Sequence, residues 1–118
     1  MSSAITNQDF EQQVLQSTVP VLVDFWAVWC GPCAAMAKHV DSITEKYATN
    51  PRVKITKLNI DEAQETPQQY QIRSIPTVIV FAAGKQVDMI VGVQGNTLQN
   101  LTDIIEKALA TLPAPATA

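Results

Sequence analysis

The sequence predicts an α/β fold in which a mixed central sheet of four to five strands is flanked by about four helices. Segments with strand and helix patterns alternate along most of the chain, which favours parallel strands joined by helices. Two strand patterns near the C-terminus are separated only by a short segment, Ala82–Lys85, which favours an antiparallel hairpin. Hydrophobic residues make up 47% of the 118 residues, so the chain can form a core.

The first half of the chain predicts a helix, a strand and a second helix. The first helix is expected over Asn7–Ser17, with Thr6 or Asn7 as its cap. The mostly apolar run Val21–Ala27 suits a strand that is covered on both faces. The second helix is expected over Pro32–Ala48, because its apolar residues recur at helical spacing. The apolar stripes consist of Phe10, Val14 and Leu15 in the first helix and of Met36, Val40, Ile43 and Tyr47 in the second.

The second half predicts a strand, a short helix, the hairpin and a closing helix. The strand is expected over Val53–Ile60 and the short helix over Thr66–Gln71. The hairpin strands are Thr77–Phe81 and Val87–Val91. The last helix is expected over Thr97–Leu112, because this segment is amphipathic. Its apolar face is predicted to consist of Leu98, Leu101, Ile105 and Leu109.

Residues 1–112 are interpreted as a single domain, because 118 residues suit one domain and neither a repeat nor an interdomain linker is seen. Residues 113–118 contain only Pro, Ala and Thr. Side chains of this kind bury little surface, so we expect a disordered tail there.

Composition and charge exclude several classes of protein. Eleven acidic and eight basic residues give a net charge of −3, unlike the basic surface of a nucleic-acid-binding protein. The longest apolar run, 19–27, contains Pro20 and Asp24 and is much shorter than the roughly 20 residues of a membrane span. The first basic residue is Lys38, whereas secretory and transit peptides carry basic residues early. We therefore expect a cytoplasmic protein with neither nucleic acid nor membrane as a partner.

The two cysteines, Cys30 and Cys33, form a C-x-x-C pattern where the first predicted strand passes into a helix. At a helix N-terminus, Cys30 lies near unpaired backbone N–H groups and the positive end of the helix dipole. Both favour the thiolate, which is the attacking species. Cys33 follows one helical turn later, so the two sulfurs can meet, and Pro32 suits the first turn. In a reducing compartment such a pair more often performs chemistry than stabilises a fold.

Two other interpretations of the cysteine pair compete with redox chemistry. A structural disulfide would close a very small loop and gain little stability from chain entropy. A structural zinc site normally needs four ligands, and the chain offers only the two cysteines and His39. Only a site shared between chains could then be complete, so no metal is expected.

Asp24 is the one acidic residue in the first predicted strand. Side chains alternate along a strand, so Lys57 shares a face with Val53 and Ile55 and can meet Asp24 if that face is the core. Burial would raise the pKa of Asp24 and Lys57 would lower it, and the sequence does not decide which effect is larger. A buried acid beside two thiols is a candidate proton acceptor for Cys33. The alternative is an edge position in which Asp24 faces water.

At these residues the sequence resembles the thioredoxin family. The segment Trp29–Cys33 matches the active-site motif of the family in full, and Asp24–Ala27 matches the segment before it. Further matches follow in order and at suitable intervals, at Lys57–Asp61, Ile75–Thr77, Gly84 and Gly92. The resemblance covers about residues 4–110 and implies a thioredoxin fold.

The resemblance implies a thiol–disulfide oxidoreductase that acts as a general protein disulfide reductant. Cys30 would attack a target disulfide and Cys33 would resolve the mixed disulfide. Asp24 would assist Cys33 through water, with Lys57 as the partner of Asp24. The redox-active Cys30–Cys33 disulfide would replace any metal or organic cofactor. The implied partners are disulfide-containing target proteins and a thioredoxin reductase that recycles the oxidised form, and a monomer is expected.

The resemblance also implies a substrate groove. Pro76 would follow a cis peptide bond opposite the active site. This would leave the Ile75 backbone free to pair with an extended target segment in the manner of an added strand. The implied substrate-binding residues are Trp29, Gly31, Pro32, Ile75, Pro76, Gly92 and Val93.

Four positions depart from the common pattern of the family. Val28 and Ala34 make the rim near the cysteines less charged, Lys38 replaces a proline that kinks the second helix, and Ser74 replaces a glycine.

Two rival functions use the same scaffold. A thiol oxidase or isomerase usually carries His between the cysteines, whereas Gly31 and Pro32 favour reduction. A binding module would hold a partner in the groove and use the cysteines as a redox-sensitive latch.

Overall fold

The computed structural model describes residues 3–111, so the predicted tail at 113–118 lies outside the described residues. In its first half, the elements are β1 (Ser3–Ile5), α1 (Asn7–Phe10, continued by a π-helical turn over Glu11–Leu15), β2 (Val21–Trp26) and α2 (Gly31–Lys46). In its second half, they are β3 (Lys54–Asn59), α3 (Glu65–Gln69), β4 (Thr77–Ala82), β5 (Lys85–Val91) and α4 (Thr97–Ala110). From α1 onwards, the expected order of helices and strands is confirmed.

The five strands form one mixed sheet in the order β1-β3-β2-β4-β5. β3 lies parallel to both β1 and β2, whereas β4 is antiparallel to β2 and β5. This confirms the predicted α/β class and the hairpin. β1 was not predicted, because three residues are too short to show a periodicity and only Ile5 is buried.

Helices cover both faces of the sheet, and each face has its own core. The core beneath α2 and α4 contains the whole predicted stripe of α2, and that helix is continuous across Lys38. The core on the opposite face includes Phe10 and Val14 from α1 and its π-helical turn, together with Phe81 from β4. The aromatic rings of Phe10 and Phe81 meet edge to face at 5.4 Å.

The predicted apolar face of α4 was wrong at Leu98, which is 42% exposed. Thr97 takes the inward position instead, and its hydroxyl donates to the Gln94 carbonyl and accepts from the Gln94 N–H. In the first turn of α4, Thr97 is 1% exposed and occupies the position nearest the core, which leaves Leu98 towards solvent. The buried hydrophobic residues of α4 are Leu101, Ile104, Ile105 and Ala108.

The carboxyl ends of the parallel strands β2 and β3 meet at one edge of the sheet, and the loop after β2 leads into the N-terminus of α2 there. The loop before β4 reaches the same edge, where Ile75 and Pro76 are joined by a cis peptide bond. Ligand sites of α/β folds commonly form at this end of the strands. None of the helices described is long and apolar enough to cross a bilayer.

Candidate active site

The cysteine pair lies at the first turn of α2. Cys30 is the N-cap residue of this helix, and its sulfur is joined to that of Cys33 in a disulfide with Cα atoms 5.3 Å apart. The backbone N–H of Cys33 donates to Cys30 Sγ at 3.2 Å. This N–H and the helix dipole both stabilise negative charge on the Cys30 sulfur once the disulfide is reduced. The geometry therefore suits Cys30 as a thiolate.

A groove of about 440 Å³ opens on one side of Cys30. Cys30 Sγ lies 3.7 Å from the Ile75 carbonyl oxygen, so the backbone just before the cis peptide bond borders the sulfur. The groove is lined by Trp29, Cys30, Gly31, Pro32, Ile60, Ile72, Arg73, Ser74 and Ile75.

The groove brings together four of the seven residues expected to bind substrate, namely Trp29, Gly31, Pro32 and Ile75. The other three lie outside its lining. Gly92 N–H donates to the Pro76 carbonyl at 2.9 Å and so ties the end of β5 to the loop before β4. Val93 packs against the core beneath α2 and α4.

Sequence reasoning did not assign four lining residues to the groove. Ile72, Arg73 and Ser74 directly precede Ile75, so their position in the chain was a usable signal. Ile60 lies within the matched segment after β3. Arg73 adds a cation to a groove that is otherwise apolar or uncharged.

Trp29 is 66% exposed, so packing alone does not explain this side chain. Its indole Nε1 donates to Asp61 Oδ2 at 2.9 Å. Trp29 follows β2 and Asp61 follows β3, and the carboxyl ends of these parallel strands are adjacent. The hydrogen bond holds the indole at the edge of the groove. Sequence reasoning did not identify Asp61 in this role.

A second cavity, of about 270 Å³, lies on the other side of the disulfide. It is lined by Asp24, Trp26, Ala27, Val28, Cys30, Cys33, Ala34, Ala37 and Lys57. Asp24 is 1% exposed and β2 lies between β3 and β4 in the sheet, so the alternative of an edge position facing water is wrong. Asp24 and Cys33 therefore line the same cavity.

Lys57 stands directly across from Asp24 in the β2–β3 register, but it is half-buried and not fully buried. Among residues 3–111, the ion pair with atoms within 4.0 Å is Lys107–Asp88, so Lys57 acts on Asp24 over a longer distance. Asp24 Oδ1 finds no hydrogen-bond partner among the described protein groups. The negative charge of the Asp24 carboxylate is therefore only weakly stabilised by neighbouring protein groups.

Burial raises the pKa of Asp24 from 3.8 to about 7, and this effect exceeds the opposing attraction of Lys57. The negative charge of Asp41 raises the pKa further. The question that the sequence left open is therefore decided in favour of desolvation. Near neutral pH the carboxyl exists in both protonation states, as an acid or base for proton transfer requires.

The described residues contain no cluster of three His, Cys, Asp or Glu side chains that could hold a metal ion. His39 is half-buried on α2. The redox group present in the structure is the Cys30–Cys33 disulfide.

Comparison with known proteins agrees with this geometry. The family model for thioredoxin matches residues 2–107. Thioredoxin 1 of Synechococcus elongatus is 48% identical over 104 residues, which cover 87% of this chain and 95% of the relative. Thioredoxin 1 of a Nostoc species is 48% identical over 111 residues, covering 92% and 100%. Thioredoxin of Rickettsia prowazekii is 42% identical over 109 residues, covering 92% and 100%.

These matches extend over nearly the full length of the relatives and include the cysteine pair. They do not favour the thiol oxidase or the binding module. The protein is a thiol–disulfide oxidoreductase that reduces protein disulfides, and the chain belongs to the thioredoxin family.

Proposed function

We propose that the two sides of the disulfide divide the reaction, with attack on the target from the groove and proton transfer in the second cavity. In the reduced protein, Cys30 thiolate attacks one sulfur of a target disulfide. A bond forms between Cys30 and that sulfur, and the other target sulfur leaves as a thiolate. The N–H of Cys33 directed at Cys30 Sγ supports this assignment of the nucleophile.

In the second step, Cys33 resolves the mixed disulfide. The Cys33 thiol passes its proton through water to the carboxylate of Asp24, and the resulting thiolate attacks Cys30 Sγ. The Cys30–Cys33 bond forms, the bond to the target breaks, and the target sulfur leaves and takes a proton from water. Two electrons have then passed from the dithiol to the target. The observation that carries this role is that Asp24, with a pKa of about 7, lines the same cavity as Cys33.

The substrate-binding roles follow from the groove. Trp29, Gly31, Pro32 and Ile75 line it and would contact the target, with the Ile75 backbone pairing with an extended segment. Pro76 and Gly92 are joined by a backbone hydrogen bond and would position the loop that carries Ile75. Val93 would support this loop from the adjoining core. Lys57 would limit how far burial raises the pKa of Asp24.

Turnover needs a second enzyme that reduces the Cys30–Cys33 disulfide again, and we assign this step to a thioredoxin reductase. The substrates are disulfide-containing proteins, and the protein acts as a monomer without a bound cofactor. A dithiol donor must be kept reduced, so the cytoplasm is the compartment proposed.

Single cysteine variants test the assignment of the two sulfurs. With insulin as a protein disulfide substrate, Cys30→Ser should abolish reduction and form no adduct. Cys33→Ser should react once and remain joined to the target, because resolution is blocked. Mass spectrometry of the unreduced mixture identifies the adduct. An adduct on Cys33 in the Cys30→Ser variant, with insulin still reduced, would contradict the proposed roles.

A further inference from the structure

The groove and the second cavity meet only at the disulfide. Of the described residues, Cys30 is the one that both linings share. The groove is otherwise formed by the start of α2 and the segments Ile60 and 72–75, whereas the second cavity is formed by β2, β3 and the next turns of α2. A target seated in the groove would therefore leave the second cavity uncovered.

The second cavity connects the protein surface with the buried acid. Val28 at its rim is 78% exposed, Ala34 is exposed and Ala37 is half-buried. At the inner end, Asp24 and Cys33 are buried. A volume of about 270 Å³ exceeds several times the roughly 30 Å³ that a water molecule occupies in the liquid. The cavity is therefore large enough to hold water beside the buried carboxyl.

Each catalytic cycle requires such a path. Asp24 gains a proton when Cys33 is deprotonated, and it must release this proton before it can act again. Cys30 and its bound target close the groove side at that moment. The charged groups that act on Asp24 are Lys57 on β3 and Asp41 on α2, while β4 places the apolar Val78 opposite it. Neither the two charged groups nor Val78 offers Asp24 a path to water through the groove.

We propose that Val28, Ala34 and Ala37 form a mouth through which Asp24 exchanges protons with bulk water while a target still occupies the groove. This proposal rests on the proposed role of Asp24 as the proton acceptor. The three side chains are positioning residues, since they act on the reaction through the hydration of Asp24. A narrower mouth desolvates the carboxyl further, and a wider mouth hydrates it.

Two substitutions change the mouth in opposite directions. Ala34→Leu narrows it and Val28→Ala widens it, and both change exposed side chains. Ala35→Leu is the matched control, because Ala35 is exposed on the same helix and lines neither cavity. The pH midpoint of Asp24 is measured by carboxyl ¹³C NMR titration of the oxidised full chain. The rate of resolution is measured by single-turnover stopped flow with insulin at neutral pH.

Ala34→Leu is expected to raise the midpoint by about half to one pH unit and to slow resolution about three- to tenfold, because each pH unit changes the carboxylate fraction up to tenfold. Val28→Ala is expected to lower the midpoint. The rate constant for attack of Cys30 on insulin, measured in the same stopped-flow experiment, should stay constant in both variants, since the groove is unchanged. Ala35→Leu should match the unmodified protein in all three measurements.

The proposal is refuted if Ala34→Leu and Val28→Ala both behave like Ala35→Leu, or if they change the rate constant for attack while the midpoint stays fixed. If Ala34→Leu does not fold, Val28→Ala decides alone, because shortening an exposed side chain leaves the core intact. Asp24→Asn separates the two proposals. Slower resolution in Asp24→Asn with inert mouth variants refutes the mouth only, whereas unchanged resolution in Asp24→Asn refutes the proton-acceptor role itself.

Discussion

Ionisation of the Asp24 side chain should lower the free energy of unfolding of the protein. Burial raises the pKa of this carboxyl from 3.8 to about 7, so between these values the folded protein binds a proton that the unfolded chain has lost. Stability therefore falls as pH rises through this window. Each pH unit of the difference costs about 1.4 kcal/mol, which gives about 4 kcal/mol above pH 7. Asp24 is almost fully buried, so solvent screening reduces this value little.

Asp24→Asn removes the titration and leaves a neutral side chain of similar shape. The buried amide has its own cost of about 1–3 kcal/mol, which does not depend on pH. The difference in unfolding free energy between Asp24→Asn and the unmodified protein should therefore grow by about 2.5 kcal/mol from about pH 5 to about pH 8. Urea unfolding of both oxidised proteins measures this, and the difference between their midpoints should change by about 1–2 M.

The matched control is Asp103→Asn, which makes the same chemical change on an exposed residue of α4. Its stability should follow that of the unmodified protein at both pH values. Parallel pH dependence for Asp24→Asn and the unmodified protein would refute the reasoning, because a carboxyl buried with the raised pKa must lose stability on ionisation.

Three further substitutions test other parts of the structure. Asp61→Ala removes the acceptor of the Trp29 indole N–H and should raise KM for insulin about three- to tenfold with kcat little changed, as steady-state kinetics would show. Ala83→Asn should raise the free energy of unfolding by up to about 1 kcal/mol, because Ala83 and Gly84 both have positive φ in the hairpin turn and Asn tolerates this conformation better than Ala. Asn7→Ala should lower the free energy of unfolding by about 1–2 kcal/mol in the same assay, because Asn7 Oδ1 accepts two hydrogen bonds from α3. An unchanged KM for Asp61→Ala would contradict the role of its hydrogen bond to Trp29. A less stable Ala83→Asn would contradict the argument from the turn conformation, and an unchanged stability of Asn7→Ala would contradict the role of its hydrogen bonds to α3.

The sheet and the cysteine pair were predictable because each rests on a local pattern. Alternating strand and helix periods set the order of the elements, and the pair was correctly placed at the junction of β2 and α2. β1 was missed because its three residues acquire strand geometry only by pairing with β3. Leu98 was misassigned because a helical pattern does not show which of two adjacent residues a tertiary core will accept.

The electrostatics and the cavities were not predictable, because they depend on three-dimensional placement. The sequence predicted that Asp24 and Lys57 could meet. The pKa of Asp24, however, depends on how completely the folded protein excludes water from its carboxyl on the central strand β2. The hydrogen bond between Trp29 and Asp61 joins residues 32 positions apart in the chain. The place of Val28 at the rim of a cavity became visible only when the volume beneath it was known.

The reduction potential of the Cys30–Cys33 pair tests the central claim most directly, since that claim is that the pair donates electrons to protein disulfides. It is measured by equilibrating the full chain with thiol–disulfide buffers of known potential and quantifying the dithiol and disulfide forms. A value near the roughly −270 mV typical of thioredoxins is predicted. A value near the roughly −120 mV of a strong oxidase would contradict the account, because such a pair accepts electrons from most protein thiols.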